Sequence, residues 1–157
     1  MTYDPAPQSV RMPKKILVAV EGSEPTLKES SMKAARYALD LASAYSSQLV
    51  GICVVQIPEY IEENTRAILR EELVSKSNKT LQEIHELASA AKVAFSSQTL
   101  ETSGSIATAV CGFSDKEGID LIVLGTRANT SALTKMMLGS VASGVAGNAS
   151  CPVLIVR

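Results

Sequence analysis

Residues 120–125 read Asp-Leu-Ile-Val-Leu-Gly, an unbroken apolar run that begins after an acidic residue and ends at a glycine. Runs of this kind suit strands that are covered on both faces, as in parallel sheets. Similar apolar runs occupy residues 16–20, 49–55 and 153–156, and residues 93–100 form a less regular candidate strand. The sequence therefore predicts five strands, four of which are of the buried type.

Helical signals fill the gaps between these strands. Thr26 and Glu29 form a capping box ahead of a helix that reaches about Tyr45. Further helices are predicted over residues 62–91, between Ser105 and Gly118, and over residues 141–147. Regular alternation of strands and helices predicts an α/β fold, with a mainly parallel sheet and helices on both faces. In such sheets ligands bind at the carboxyl ends of the strands, where the strand order reverses.

Composition narrows the class of protein. The chain has 157 residues, of which 46% are hydrophobic and 20% charged, as in a globular domain. A net charge of −1 gives no general reason to bind nucleic acid or an anionic membrane. No apolar run approaches the roughly 18 to 20 residues that a membrane span needs. We expect a flexible tail at residues 1–13, one domain at residues 14–157 and a cytoplasmic location.

The three cysteines are Cys53, Cys111 and Cys151, which lie in apolar segments and have no C-x-x-C spacing. Free cysteine behaves as a small hydrophobic residue, so we expect buried reduced thiols and neither a disulfide framework nor a metal site.

Candidate ligand-binding residues follow two of the predicted strands. Glu21 follows the first strand and is placed to accept hydrogen bonds from ribose hydroxyls or an exocyclic amine. Gly125 follows the fourth strand, and Gly139-Ser140 opens the last helix, where unpaired N–H groups and the helix dipole attract anions. The structural alternatives stay open: Glu21 as a solvated loop residue, and Gly139-Ser140 as an ordinary helix start.

Four segments resemble the universal stress protein family. Residues 15–24, Lys-Ile-Leu-Val-Ala-Val-Glu-Gly-Ser-Glu, resemble the opening strand and loop of this family. Residues 120–157 resemble its C-terminal signature. That signature is carried by Asp-Leu-Ile-Val-Leu-Gly-Thr-Arg, then Leu-Gly-Ser-Val, then Cys-Pro-Val-Leu-Ile-Val-Arg. The resemblance implies an open five-stranded parallel sheet in the order 3-2-1-4-5, with the adenine nucleotide alpha hydrolase-like fold.

The resemblance also implies a site. Adenine and ribose would lie against Ala19, Val20 and Glu21, with Leu49 or Val50 opposite. Phosphates would lie on a glycine loop, whose matching or neighbouring residues here are Gly125, Arg127, Ala128, Asn129, Gly139, Ser140 and Val141. For Arg127, a bidentate phosphate contact and simple solvation are both open.

This chain departs from the family pattern of Gly, two residues, Gly, nine residues, Gly and then Ser or Thr. Ala128 or Asn129 stands where the second glycine belongs, and the loop is one residue longer. Glu21 also stands where the family usually has aspartate. If the absent glycine serves a positive φ angle, alanine meets it at a steric cost, whereas asparagine tolerates such angles better. We interpret the chain as a member of the nucleotide-binding subgroup with an altered glycine loop.

Three functions follow as hypotheses. The first is a regulatory, stress-response homodimer that binds ATP or AMP, with Mg²⁺ as a candidate companion of the phosphates. Its dimer contact would be the apolar edge strand Val153 to Arg157. The second is a stress protein without a nucleotide, acting as a chaperone-like or interaction module. The third and weakest is slow nucleotide hydrolysis; we predict no dedicated catalytic residue, because the sequence has no nucleophile elbow and no P-loop lysine.

Overall fold

The computed structural model describes residues 12–22, 29–126 and 139–157. Strands and helices alternate along the chain as the sequence predicts. The elements are β1 Lys15–Val20, α1 Glu29–Tyr45, β2 Gln48–Gln56, α2 Glu63–Ala90, β3 Phe95–Thr102, α3 Ile106–Glu117, β4 Leu121–Gly125, α4 Ser140–Asn148 and β5 Val153–Val156. Most of the predicted tail, together with Thr26 of the predicted capping box, lies outside the described residues.

All five strands are parallel and follow the order β3-β2-β1-β4-β5. The predicted order is therefore confirmed. In the centre of the sheet, Val18 of β1 lies between Gly51 of β2 and Val123 of β4. Because the strands are parallel, their carboxyl ends share one edge. At that edge the chain turns one way after β1 and the other way after β4, which makes the crevice between them the switch point.

The core consists of two aliphatic layers, one on each face of the sheet. On one face, Ile16 and Val18 pack under α1 and α2, whose inward residues include Ala38 and Ile84. On the other face, Leu17 packs with residues of α3 and α4. Residues of β1 thus alternate between the layers, as side chains of a strand must. The predicted helices on both faces are confirmed.

Helix ends follow local sequence signals where those residues are described. The Ser105 side chain accepts a hydrogen bond from the Thr108 N–H and caps α3, while Gly118 ends that helix at a φ of 65°. These are the roles that serine and glycine take at helix termini. No helix in the described part of the chain is long and apolar enough to span a bilayer.

Candidate functional site

A cavity of about 190 Å³ opens at the carboxyl edge of the sheet, between β1 and β4. Its walls come from both central strands, from the first turn of α1 and from the amino-terminal halves of α3 and α4. The lining residues are Ala19, Val20, Glu21, Ser30, Ser31, Val54, Ile106, Val110, Leu124, Gly125, Thr126, Val141 and Ala142. The predicted residues Ala19, Val20, Glu21, Gly125 and Val141 are brought together here.

The end of β1 is held in place by α1. The N–H of Glu21 donates a hydrogen bond of 3.2 Å to Oγ of Ser31, which is itself buried. This contact fixes the backbone at the point where β1 leaves the sheet, and residue Glu21 lies exposed at the rim of the cavity. The arrangement gives the cavity one acidic residue at an otherwise mostly apolar wall.

The end of β4 packs against the backbone of α1 with no room for a side chain. A Cβ atom built on Gly125 would lie 2.4 Å from the carbonyl oxygen of Ser30 and 2.9 Å from its carbonyl carbon. The glycine therefore lets the first turn of α1 close one side of the cavity. Thr126 follows directly, and its N–H donates a 3.1 Å hydrogen bond to the carbonyl of Val156.

A second close approach lies behind the exit of β1. A Cβ atom on Gly22 would lie 2.6 Å from Oγ of Ser77 and 2.9 Å from Sγ of Cys53. The pKa of the Cys53 thiol is raised to about 12, chiefly by burial; the hydrogen bond with Ser77 lowers it and the Glu21 carboxylate raises it, and the value includes both contributions. At neutral pH Cys53 is therefore a packed thiol, which rules it out as the nucleophile of this site because the reactive form is the thiolate.

The opposite wall differs from the prediction. Leu49 and Val50 pair with Ile16 and Leu17 at the start of β1, so they lie buried near the amino edge of the sheet. Val54 lines the cavity instead. The predicted place of Leu49 and Val50 is therefore wrong, because the strands are parallel and only the carboxyl-terminal half of β2 reaches the crevice.

Helices α3 and α4 on the second face supply the predicted residue Val141 and three cavity residues that the sequence did not predict. Ile106 and Val110 of α3, with Val141 and Ala142 of α4, make an apolar wall. The four-residue spacing of Ile106 and Val110 predicts an inward helical stripe, but such a stripe by itself indicates only a core-facing surface. Ser30 and Ser31 gave no signal beyond their position in the first turns of a helix that follows β1.

The first turn of α4 borders the cavity. Gly139 is the N-cap residue, with a φ of 83° and a ψ of 158°, and among the described residues no side chain caps the helix at this end. This backbone region is open essentially to glycine alone. The first N–H groups of a helix have no partner within it, and they carry the positive end of the helix dipole. Ser140, the first helical residue, is exposed beside them.

The remaining predicted loop residues, Arg127, Ala128 and Asn129, lie outside the described residues. Within the described ranges, no group of three histidine, cysteine, aspartate or glutamate side chains is placed to hold a metal ion. The described site thus combines an apolar cavity, hydroxyl groups and one carboxylate with an uncapped helix terminus. That combination suits a ligand with a flat apolar ring at one end and an anion at the other.

Comparison with known proteins places the chain among relatives over most of its length. The model of the Universal stress protein family matches residues 12–157. Universal stress protein MJ0531 of Methanocaldococcus jannaschii is 31% identical over 147 residues, covering 92% of this chain and 82% of that protein. Universal stress protein YxiE of Bacillus subtilis is 32% identical over 157 residues, covering 91% of this chain and 98% of that protein.

Solved structures share the fold at lower identity. An Arabidopsis thaliana protein of this family with AMP bound has a TM-score of 0.69 and 20% identity, covering 92% of this chain and 91% of that one. A universal stress protein in complex with cAMP has a TM-score of 0.70 and 22% identity, covering 94% and 99%. The Archaeoglobus fulgidus protein in complex with dAMP has a TM-score of 0.70 and 17% identity, covering 94% and 100%.

Proposed function

This chain belongs to the universal stress protein family, and from that premise we propose that it binds an adenine nucleotide, ATP or AMP, as a regulatory protein. The observation that carries the proposal is the uncapped start of α4 at the border of an apolar cavity at the switch point. Solved structures with the same fold contain AMP, cAMP or dAMP, which supports the choice of ligand class.

The proposed pose follows from the chemistry of the walls. The adenine ring packs between Ala19 and Val54 on the sheet side and Val110 on the helix side, where apolar atoms dominate. At about 190 Å³ the cavity is smaller than the roughly 300 Å³ at the lower end for whole drug-sized ligands. The cavity therefore suits the base, while the ribose and phosphates extend outward, the ribose towards Glu21.

The phosphates in this pose lie on the first turn of α4, at Gly139 and Ser140. Backbone N–H groups and the helix dipole stabilise the negative charge there, and the Ser140 hydroxyl is a further donor. Gly125, Arg127, Ala128 and Asn129 remain part of the proposed phosphate loop. Mg²⁺, if it accompanies ATP, would take most of its ligands from phosphate oxygens and water, as this ion commonly does in nucleotide sites.

Isothermal titration calorimetry of the purified chain with AMP, ADP and ATP tests this proposal. We expect saturable binding of at least one of them at one site per chain. The proposal would be refuted if titration up to millimolar nucleotide produced no heat at two temperatures. The second temperature ensures that a zero enthalpy of binding is not mistaken for an absence of binding. The chaperone-like alternative would then be the better account of the chain.

The proposal includes a homodimer formed through β5. Val153, Leu154, Ile155 and Val156 are each only half-buried, and among the described strands β5 pairs with β4 alone. An exposed apolar edge strand favours pairing with another strand, which here would be its twin running antiparallel. The proposed dimer contact extends from Val153 to Arg157.

Light scattering after size exclusion checks the dimer. We expect twice the chain mass of 16.6 kDa at micromolar concentration. The carbonyl of Pro152 accepts a hydrogen bond from Ile122 of β4, and that of Val156 accepts one from Thr126, the residue after β4. Because groups on a strand alternate in direction, the N–H of Ile155 points away from the sheet. Ile155→Pro should therefore yield a folded monomer, whereas Ile155→Ala keeps that N–H and should remain largely dimeric. A single-chain mass for the unmodified protein would contradict this interface.

A further inference from the structure

The opposite edge of the sheet, formed by β3, has an open row of backbone hydrogen-bonding groups. The carbonyl of Ala94 accepts a hydrogen bond from Leu49 of β2, and the carbonyl of Thr102 accepts one from Ile57, the residue after β2. Since groups on a strand alternate in direction, the even-numbered residues between them bond to β2. The odd-numbered residues Ser97, Thr99 and Glu101 therefore present N–H and C=O outward, and no other described strand pairs with them.

Little on β3 itself protects this edge, since Glu101 is the strand's one charged residue and is paired with Arg70. Its eight residues pair with β2 in unbroken register, without a bulge, and the strand contains neither proline nor lysine. Natural edge strands are usually short, bulged or protected by such residues, because an open edge invites another strand. At eight residues, β3 is twice as long as the other edge strand, β5, which has four.

A broad groove runs beside this edge, along the outer flank of α2. Its volume is about 900 Å³, and its lining includes Ala67 and Val74 together with Asn78 and Glu101. Side chains of the odd-numbered β3 residues point to the α2 side, since Thr99 bonds to Asn78 at 3.1 Å and Glu101 to Arg70 at 2.9 Å. A strand added to β3 would thus project every second side chain into the groove.

The charge of the groove selects the partner. Arg70 and Glu101 neutralise each other in an ion pair. The remaining charged lining residues are Lys79 and the three glutamates Glu71, Glu83 and Glu86. Among the described residues these glutamates form no ion pair, so the groove carries a surplus of negative charge. A second copy of this chain would bring the same negative surface against it, whereas a basic partner is attracted.

We propose that β3 and the α2 groove form a docking site for an extended, basic segment of a partner protein, which adds to the sheet as a sixth strand. Main-chain hydrogen bonds to Ser97, Thr99 and Glu101 supply the binding, as in other cases of strand addition. Lysine or arginine at alternate positions faces the groove glutamates and selects the partner. This site is separate from the nucleotide crevice, which lies between β1 and β4.

The probe for this site is the peptide acetyl-Lys-Val-Lys-Val-Lys-Val-Lys-amide, whose lysines share one face when it is extended. Hydrogen exchange followed by NMR gives a readout specific to strand addition. We expect the amides of Ser97 and Thr99 to exchange fast in the free protein and to become protected by the peptide. The amides of Gln98 and Leu100 should be protected in both states, because they already bond to β2.

Two matched pairs of variants separate the contributions. Ser97→Pro removes an outward N–H without breaking the hydrogen bonds to β2. It should raise the Kd of the peptide about tenfold or more. Ser97→Ala keeps that N–H and should bind like the unmodified chain. Replacing Glu71, Glu83 and Glu86 by glutamine should weaken binding similarly, whereas the same charge change made at Asp40, Glu63 and Asp115 should not. Thermal unfolding establishes that each variant is folded.

Several results would overturn the proposal. One is the absence of protection at Ser97 and Thr99 with millimolar peptide. Another is equal binding of acetyl-Glu-Val-Glu-Val-Glu-Val-Glu-amide, because the groove would then select no charge. A third is protection of these amides without peptide that grows with protein concentration, which would assign the edge to a second copy of the chain. If Ser97→Pro is folded and binds undiminished, the peptide binds elsewhere.

Discussion

Replacing Gly125 by alanine is expected to lower the free energy of unfolding by about 1–3 kcal/mol, the range for overpacked sites. The new Cβ atom would lie 2.4 Å from the carbonyl oxygen of Ser30. Because that atom belongs to the backbone of α1, no rotamer change relieves the clash, and the helix must move away from β4. Urea denaturation monitored by circular dichroism measures the loss.

Gly112→Ala is the matched control for this substitution. Gly112 lies within α3, and a Cβ atom there would meet nothing within 4 Å. Alanine is the better helix former by about 1 kcal/mol, so this variant should be as stable as the original chain or more so. If Gly125→Ala proves as stable as Gly112→Ala, the close approach of α1 to β4 does not constrain residue 125.

Replacing Gly139 by aspartate is expected to abolish most nucleotide binding. Residue 139 is the N-cap of α4 at a φ of 83°, so any side chain is strained by about 1–3 kcal/mol. Aspartate also places a negative charge where the proposed phosphates lie. We expect the Kd for AMP to rise by more than tenfold relative to Gly139→Asn, which has the same shape and no charge. Calorimetry on the two variants measures the difference.

The comparison with Gly139→Asn isolates the electrostatic part of the effect, because both side chains bear the same backbone strain. An aspartate at the N-cap favours the helix itself, so a folding defect confined to the aspartate variant is not expected. Equal affinity of the two variants for AMP would mean that the phosphates do not approach the start of α4. The pose would then have to be redrawn with the phosphates elsewhere.

The order of elements and the layers were predictable from the sequence because each signal is local. Apolar runs such as residues 120–125 identify buried strands without reference to their neighbours. Ser105 marks the start of α3 and Gly118 marks its end, in the structure as in the sequence. The strand order came from the family resemblance and is confirmed by the pairing of β1 with both β2 and β4.

The walls of the site were harder to predict because they depend on which end of a strand reaches the crevice. Leu49 and Val50 were named for the second strand, yet its register places Val54 beside the cavity and those two residues near the far edge. A one-dimensional pattern shows that a strand is buried, but the parallel register that aligns its carboxyl end with that of β1 is a tertiary property.

Gly125 illustrates a second limit. The sequence predicted Gly125 as the first residue of a phosphate-binding glycine loop after the fourth strand. The structure supplies another reason for it, since the carbonyl of Ser30 occupies the place of a side chain. Residues 30 and 125 are remote in sequence, and no local pattern links them. Gly125 thus lines the crevice, as the resemblance implies, but the packing of α1 against β4 gives it a structural role that the sequence did not indicate.

The most direct test of nucleotide binding in this crevice is an NMR titration of the labelled chain with AMP. Backbone amide shifts report binding and its location together. We predict saturable shifts at Ala19, Val20 and Glu21, at Gly125 and Thr126, and at Ser140 and Val141, with little change along β3. Shifts that never saturate, that cluster away from the carboxyl ends of β1 and β4, or that are absent at millimolar AMP would contradict this account.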